Sequence, residues 1–244
     1  IGRAGSASFY SGDISKLIVR EIENNDGFLT PIDLKNYEAV RKRPAEYIFM
    51  GHNVITVPRP STGALVFSGL KSLTNFPEVK DSQELLVRAM LRMFAERRKS
   101  FGDFNDKKGG QITESPETTS LCTLDVEGNA VSLTYSNNNH SGVVIPGTGI
   151  LMNNQMALFS PWPGNPNEVS GGKRPVSSMM PSILLNGRSV RLILGASGST
   201  RIPTSIMQVL YRLLLQEKSL IEAITEPKLH AEAETLLADE DLCE

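Results

Sequence analysis

Cysteine and histidine are scarce in this 244-residue chain, and each scarcity excludes a class of protein. Two cysteines, Cys122 and Cys243, are too few for a disulfide framework. Cys122 sits in an apolar, strand-like run and is expected to be a buried small side chain. The three histidines, His52, His140 and His230, lie too far apart for a zinc-ligand spacing. No run reaches the roughly 18 apolar residues that a membrane-spanning helix needs. A strong charge of one sign is also lacking. The formal net charge of -2 implies no steering of nucleic acid or phosphate. The densest basic group, Arg97-Arg98-Lys99, reads as the solvated end of a helix. The chain begins at Ile1 without a signal peptide in view, which a processed start or a fragment would explain.

What is present is an ordinary globular composition, 40% apolar and 21% charged, long enough for one large core or two smaller ones. Residues 14–22 have helical periodicity, with Asp13 as cap and Asn25-Asp26-Gly27 as terminator. Thr30-Pro31 opens another short helix. Residues 53–57 read as a strand, 58–63 as a turn and 64–73 as a helix. Residues 85–99 form the clearest helix. A polar segment, 101–116, reads as an exposed, mobile loop. It precedes a hairpin pattern: strand 119–124, a turn at Glu127-Gly128-Asn129, and strand 130–136. Residues 137–181 are loop-dominated, as they would be where loops build a site. A strand at 190–194, the glycine-containing GASGS and helices at 204–215 and 219–224 follow.

The residues offer several chemical candidates. Thr118 stands where the polar loop meets a strand expected to be buried. If the bond after Glu117 is cleaved, Thr118 carries its own amine, whose reference pKa of about 7.7–8.0 suits a base acting on its hydroxyl. As residues alone, Thr118, Thr119 and Ser120 read equally as ordinary strand-entry positions. Backbone N–H groups at Gly198-Ser199 can hold an oxyanion, form a phosphate nest or merely make a turn. Asn137 to His140 and Asn153 to Gln155 carry donors and acceptors for an amino acid head group, and Ser177-Ser178 can donate to a carboxylate. Each also serves as a loop-stabilising residue.

Several of these segments, in order, closely resemble gamma-glutamyltransferases. Residues 118–156 (TTSLCTLDVEGNAVSLTYSNNNHSGVVIPGTGILMNNQM) resemble the start of that family's small subunit, as do GGKRPVSSMMPSI, GASGSTRIPTSIMQVL and EPKLH further on. FYSG, LTPIDLKNY and PRPSTGA resemble the end of its large subunit. The resemblance implies an α+β fold, the αββα N-terminal-nucleophile sandwich, represented here by an incomplete portion. Residues 1–117 would be the late part of a large-subunit-like region and 118–244 the early part of a small-subunit-like region, both in one composite catalytic domain. Other segments of the same precursor, or a partner chain, would complete the sheets.

The resemblance also implies roles. Thr118 would be the nucleophile and the self-cleavage residue, supported by the hydroxyl of Ser136. Asn138 and Gln155 would hold the glutamyl amino end, Ser177 and Ser178 the head group, and Gly198 with Ser199 the oxyanion. Gamma-glutamyl peptides or amides such as glutathione would be substrates, with water or an amine as acceptor. No metal or organic cofactor and no nucleic acid is implied. Export, to a periplasm or cell surface, is common in the family. Three positions depart from its pattern. Leu158 replaces an acidic residue that pairs with the substrate ammonium, Ser120 replaces a histidine, and His140-Ser141 replaces phenylalanine-glycine. These departures open two alternatives: an acylase with a less polar pocket, or a catalytically inactive binding or structural homologue.

Overall fold

Apolar side chains at helical spacing and short alternating runs generate most of the elements. A computed structural model describes residues 1–73, 81–102 and 117–242. In chain order, the first half contains α1 (Ala7–Tyr10), α2 (Asp13–Asn24), α3 (Pro31–Lys35), β1 (Ala45–Phe49), β2 (His52–Thr56), α4 (Gly63–Ser72) and α5 (Ser82–Phe101). The second contains β3 (Thr118–Leu124), β4 (Ala130–Ser136), β5 (Val144–Ile145), β6 (Ile150–Leu151), β7 (Ser182–Asn186) and β8 (Ser189–Leu194). It closes with α6 (Arg201–Leu214), α7 (Leu220–Thr225), β9 (Leu229–Glu232) and β10 (Thr235–Ala238). The segment 103–116 and Cys243 lie outside the described residues.

The chain packs as two units. The smaller comprises residues 1–42 and 140–154. Its core is Ile18, Val19, Leu34 and Ile145. Thr30 caps α3 through a reciprocal box with Asp33, and Pro31 occupies the first turn, where its missing N–H costs nothing. Asp13 is not the cap of α2: Gly12 is, and Asp13 is the first helical residue, bonded to Lys16 at 3.1 Å.

The larger unit, residues 43–139 and 155–244, contains Thr118, Ser136, Asn138, Gln155, Ser177, Ser178, Gly198 and Ser199, whereas the candidates His140, Asn153 and Asn154 belong to the smaller one. Its antiparallel sheet runs β1-β2-β7-β8. The outer strand β1 and the inner strand β7 were not anticipated; both are only five residues long, and β7 directly follows a loop-like stretch. Helices α4, α5 and α6 pack together around Phe67, Leu70, Met90, Phe94, Met207 and Leu210, all at most 1% exposed. Gly69 permits the approach of α4 to α6, because a Cβ there would meet the Met207 methyl at 2.5 Å. Ser219 caps α7 in a second reciprocal box, with Glu222. The mixture of antiparallel sheets and covering helices is the expected α+β class.

Three expectations about burial also need correction. Arg97 is not solvated but 3% exposed, because it continues the inward row Leu86, Ala89, Met90, Met93, Phe94 of α5. Cys122 is exposed, since it lies toward the outer end of the β3–β4 hairpin, paired across the strands with Ser132. The strand after Thr118 is mostly exposed rather than buried. Among the described residues, no helix is long and apolar enough to cross a membrane.

Candidate active site

The hairpin register sets the first contact. Pairing of β3 with β4 places Thr118 opposite Ser136. The buried Thr118 hydroxyl donates to Ser136 Oγ at 2.9 Å. Ser136 Oγ also accepts the Asn138 N–H at 3.0 Å, and the Ser136 carbonyl accepts from Gln155 Nε2 at 2.9 Å. Asn138 has φ 58°, a left-handed conformation that asparagine tolerates better than most residues and that turns the chain away from β4. Thr118, Ser136, Asn138 and Gln155 are thus one bonded group.

The serine pair reaches this group from another direction. Its foundation is the 58–62 turn: Ser177 N–H donates to Pro60 O at 3.1 Å, and Thr62 N–H donates to Ser177 O at 3.0 Å. Ser61 Oγ bonds the Met179 carbonyl, and Ser177 Oγ accepts from Met179 N–H at 3.2 Å. Ser178 Oγ accepts from Arg97 Nη1 at 3.3 Å. Backbone bonds on both sides leave the two hydroxyls little freedom.

The third wall is the turn between β8 and α6. Gly198 has φ 113° and Ser199 φ 54°. For serine this conformation carries a cost of order 1 kcal/mol or more, the kind of local strain that clusters at functional sites. Their carbonyls begin the helix, accepting from Arg201 N–H at 2.9 Å and Ile202 N–H at 3.2 Å. Gly195, at the end of β8, lets the hairpin approach: a Cβ there would lie 2.0 Å from Ser120 Oγ.

These walls enclose one pocket. Its polar lining is Thr118, Ser136, Asn138, Gln155, Ser177, Ser178 and Ser199, and its apolar lining is Leu158, Met179 and Ile202. Asn137, Asn153, Asn154 and Gly198 are not in its lining; Gly198 lines a second cavity with Arg201 and His230. Among the described residues, no acidic or basic side chain lines the Thr118 pocket. Such a set of hydroxyls and amides suits an acyl group and its carboxylate better than a metal. His140 belongs to the smaller unit, where its Nδ1 accepts from Gly142 N–H at 3.0 Å.

Residues 1–114 and 104–242 match the gamma-glutamyltranspeptidase family model. The chain belongs to this family. It is 29% identical over 282 residues to the glutathione hydrolase proenzyme of Escherichia coli, which covers 94% of this chain and 49% of that protein. It is 30% identical to the Pseudomonas aeruginosa glutathione hydrolase proenzyme, with 94% and 50% covered. It is also 27% identical to an acylase ACY 1 proenzyme of a Pseudomonas species, with 100% and 50% covered. The chain spans about half the length of these relatives. Among solved structures, the cephalosporin acylase of Bacillus halodurans superposes with TM-score 0.82 at 24% identity, covering 98% of this chain and 50% of that one. That likeness concerns the fold and agrees with the αββα architecture of this family.

Met179, Ile202 and Arg97 were not anticipated at the site. Met179 and Ile202 directly follow anticipated residues or their turn, so adjacency was the available signal. Arg97 was legible in the spacing of α5, where it falls three residues after Phe94 on the apolar face.

Proposed function

We propose that the protein carrying this chain is a threonine-nucleophile amidohydrolase or acyltransferase acting on gamma-glutamyl amides of the glutathione type. The observation that carries this reading is the 2.9 Å bond from Thr118 Oγ1 to Ser136 Oγ inside a pocket lined by the serine pair. Scission of the Glu117–Thr118 bond would free the Thr118 amine. That amine takes the hydroxyl proton as Oγ attacks the amide carbonyl. Backbone N–H groups at the Gly198-Ser199 turn stabilise the oxyanion. The proton passes to the leaving amine, and an acyl ester remains on Thr118. Water releases the acid, or an acceptor amine takes the acyl group. Ser136 orients the nucleophile, while Ser177 and Ser178 donate to the substrate carboxylate. Segments 1–117 and 118–244 would belong to the two products of one precursor. Its remaining parts would cover the exposed apolar face of the β3–β4 hairpin.

Purified precursor and Thr118→Ala test this reading. Wild type is expected to give two fragments and to hydrolyse a gamma-glutamyl anilide; the variant should do neither. Two fragments from Thr118→Ala would overturn the self-cleavage role. A single uncleaved wild-type chain, inactive on any amide, would favour an inactive homologue.

A second reading is favoured by the pocket wall. Leu158, Met179 and Ile202 offer no counter-charge for a substrate ammonium, whose unpaired burial is costly. An acyl group lacking the amine, such as glutaryl, fits that wall. Comparing kcat/KM for gamma-glutamyl and glutaryl anilides separates the two. A preference of about tenfold or more for glutaryl would replace the gamma-glutamyl assignment.

A further inference from the structure

The hydroxyl face of the β3–β4 hairpin extends well beyond the Thr118–Ser136 pair that the reaction above uses. Register puts three side-chain pairs on that face: Thr118 with Ser136, Ser120 with Thr134, and Cys122 with Ser132. Their polar atoms lie 2.9, 3.4 and 3.9 Å apart. The first pair holds the nucleophile, and the second and third reach β8. Ser132 Oγ donates to the Leu194 carbonyl at 2.8 Å. Leu194 is itself fixed in the sheet, opposite the buried Ser182 of β7. One residue on, the Gly195 backbone lies against the middle pair: a Cβ at 195 would sit 2.0 Å from Ser120 Oγ and 3.3 Å from Thr134 Oγ1. Gly195 is not among the glycines of positive φ, so close approach, and not backbone freedom, is what calls for glycine there. The Gly198-Ser199 turn follows three residues later.

One short stretch of chain therefore carries both the seat of the hairpin and the oxyanion turn. We infer that Ser132, seated on the Leu194 carbonyl, and Ser120, seated on Gly195, are positioning residues that fix the distance between Thr118 and the backbone donors at Gly198-Ser199. The inference rests on the assignment of Thr118 as nucleophile, and it adds residues that touch neither substrate nor reacting atoms. The physical case is geometric. A single hydrogen bond at Ser132 would let the two-stranded ribbon pivot, and a second contact one residue further along the same chain opposes that pivot. Attack geometry is unforgiving: a displacement of about 1 Å can cost about 100-fold in rate. Acylation and deacylation pass through the same oxyanion, so a shifted hairpin slows both steps. KM depends on the ratio of those steps and moves little, which gives the device a kinetic signature.

The full-length enzyme, assayed with a gamma-glutamyl anilide and a glutaryl anilide, tests this. Gly195→Ala inserts the methyl group that the hairpin excludes and should lower kcat about thirtyfold, with KM within about threefold. Ser120→Ala removes the atom which that methyl would strike. Combined with Gly195→Ala it should recover about tenfold in kcat, a coupling that a general loss of packing would not produce. Ser132→Ala releases the Leu194 anchor and should lower kcat about fivefold, and Ser132→Thr, which keeps the hydroxyl, should restore most of it. If Gly195→Ala does not fold, the double variant and Ser132→Ala carry the same test. Amide hydrogen exchange supplies a readout independent of turnover. Ser132→Ala should speed exchange at 133–136 and 198–200 while leaving the α4 and α5 interiors protected. If Thr118→Ala abolishes activity while Gly195→Ala or Ser132→Ala stays within about twofold of wild type, the inference falls and the nucleophile stands. A double variant no faster than Gly195→Ala overturns it as well. If wild type is inactive, the nucleophile reading falls, and exchange alone decides: an unchanged rate in either segment overturns the inference.

Discussion

The helical core of the larger unit and the β3–β4 hairpin both carry apolar residues at the period of their own element, every 3.6 positions and every two, with opposite results. In the core, Phe67, Leu70, Phe94 and Met207 are at most 1% exposed. In the hairpin, Leu121, Val131, Leu133 and Tyr135 are 45%, 52%, 48% and 60% exposed. The hairpin turns its hydroxyl face inward instead. Ser132 Oγ donates to the Leu194 carbonyl at 2.8 Å, and Ser120 rests against Gly195. The difference separates two tasks. The core holds the chain together by apolar burial, whereas the hairpin delivers Thr118 and Ser136 to a pocket by strand register.

That separation can be broken by substitution. The largest effect should come from Thr118→Ala, which is expected to lower amide hydrolysis by about a thousandfold or more while thermal unfolding moves little. A comparable loss of stability would mean that the hairpin is part of the core. Leu70→Ala should do the reverse, costing about 2–5 kcal/mol in urea unfolding through a buried cavity. Leu133→Ala sharpens the contrast. In the full-length protein it should cost about 2 kcal/mol if the rest of the precursor covers the hairpin, and less than about 0.5 kcal/mol if that face stays wet.

The smallest effect is a pH dependence. Glu232 has its folded pKa below the ordinary value of 4.5: burial raises it, but the His230 ring, 3.4 Å away on the same strand, and the Arg97 charge on α5 outweigh that. Its contribution to stability is therefore present above the unfolded value and lost as pH falls through the folded one. Unfolding curves of wild type and Glu232→Gln should differ at neutral pH and converge as acid protonates the wild-type carboxyl. Asp33, Asp125 and Glu222 are lowered too, by hydrogen bonds within their own caps and turns, so only the difference between the two proteins reports on Glu232. Parallel curves down to acid pH would mean that Glu232 titrates alike in the folded and unfolded chain.

Much of this architecture is local and hence readable from the chain. The capping box of Thr30 and Asp33, the spacing of α5 and the 130–136 return strand each depend on residues a few positions apart. The ordered motifs added the anticipated site residues, and most of them line a common pocket. The misses share a cause. Residue type and sequence neighbours misplace Arg97 and Cys122, because burial depends on what packs against the element. Arg97 faces Ser178, 81 positions away, while nothing described lies over the outer end of the hairpin near Cys122.

The sequence by itself determined the main helical faces, the Thr30 cap of α3, the hairpin and the family, because periodicity and motif order need no third dimension. Only the tertiary structure decided which residues meet. Thr118, Ser178 and Ser199 come from a strand, a loop and a helix-start turn that sheet register and helix packing bring around one pocket. Such meetings are decided by burial and distance, and neither is written in local residue order.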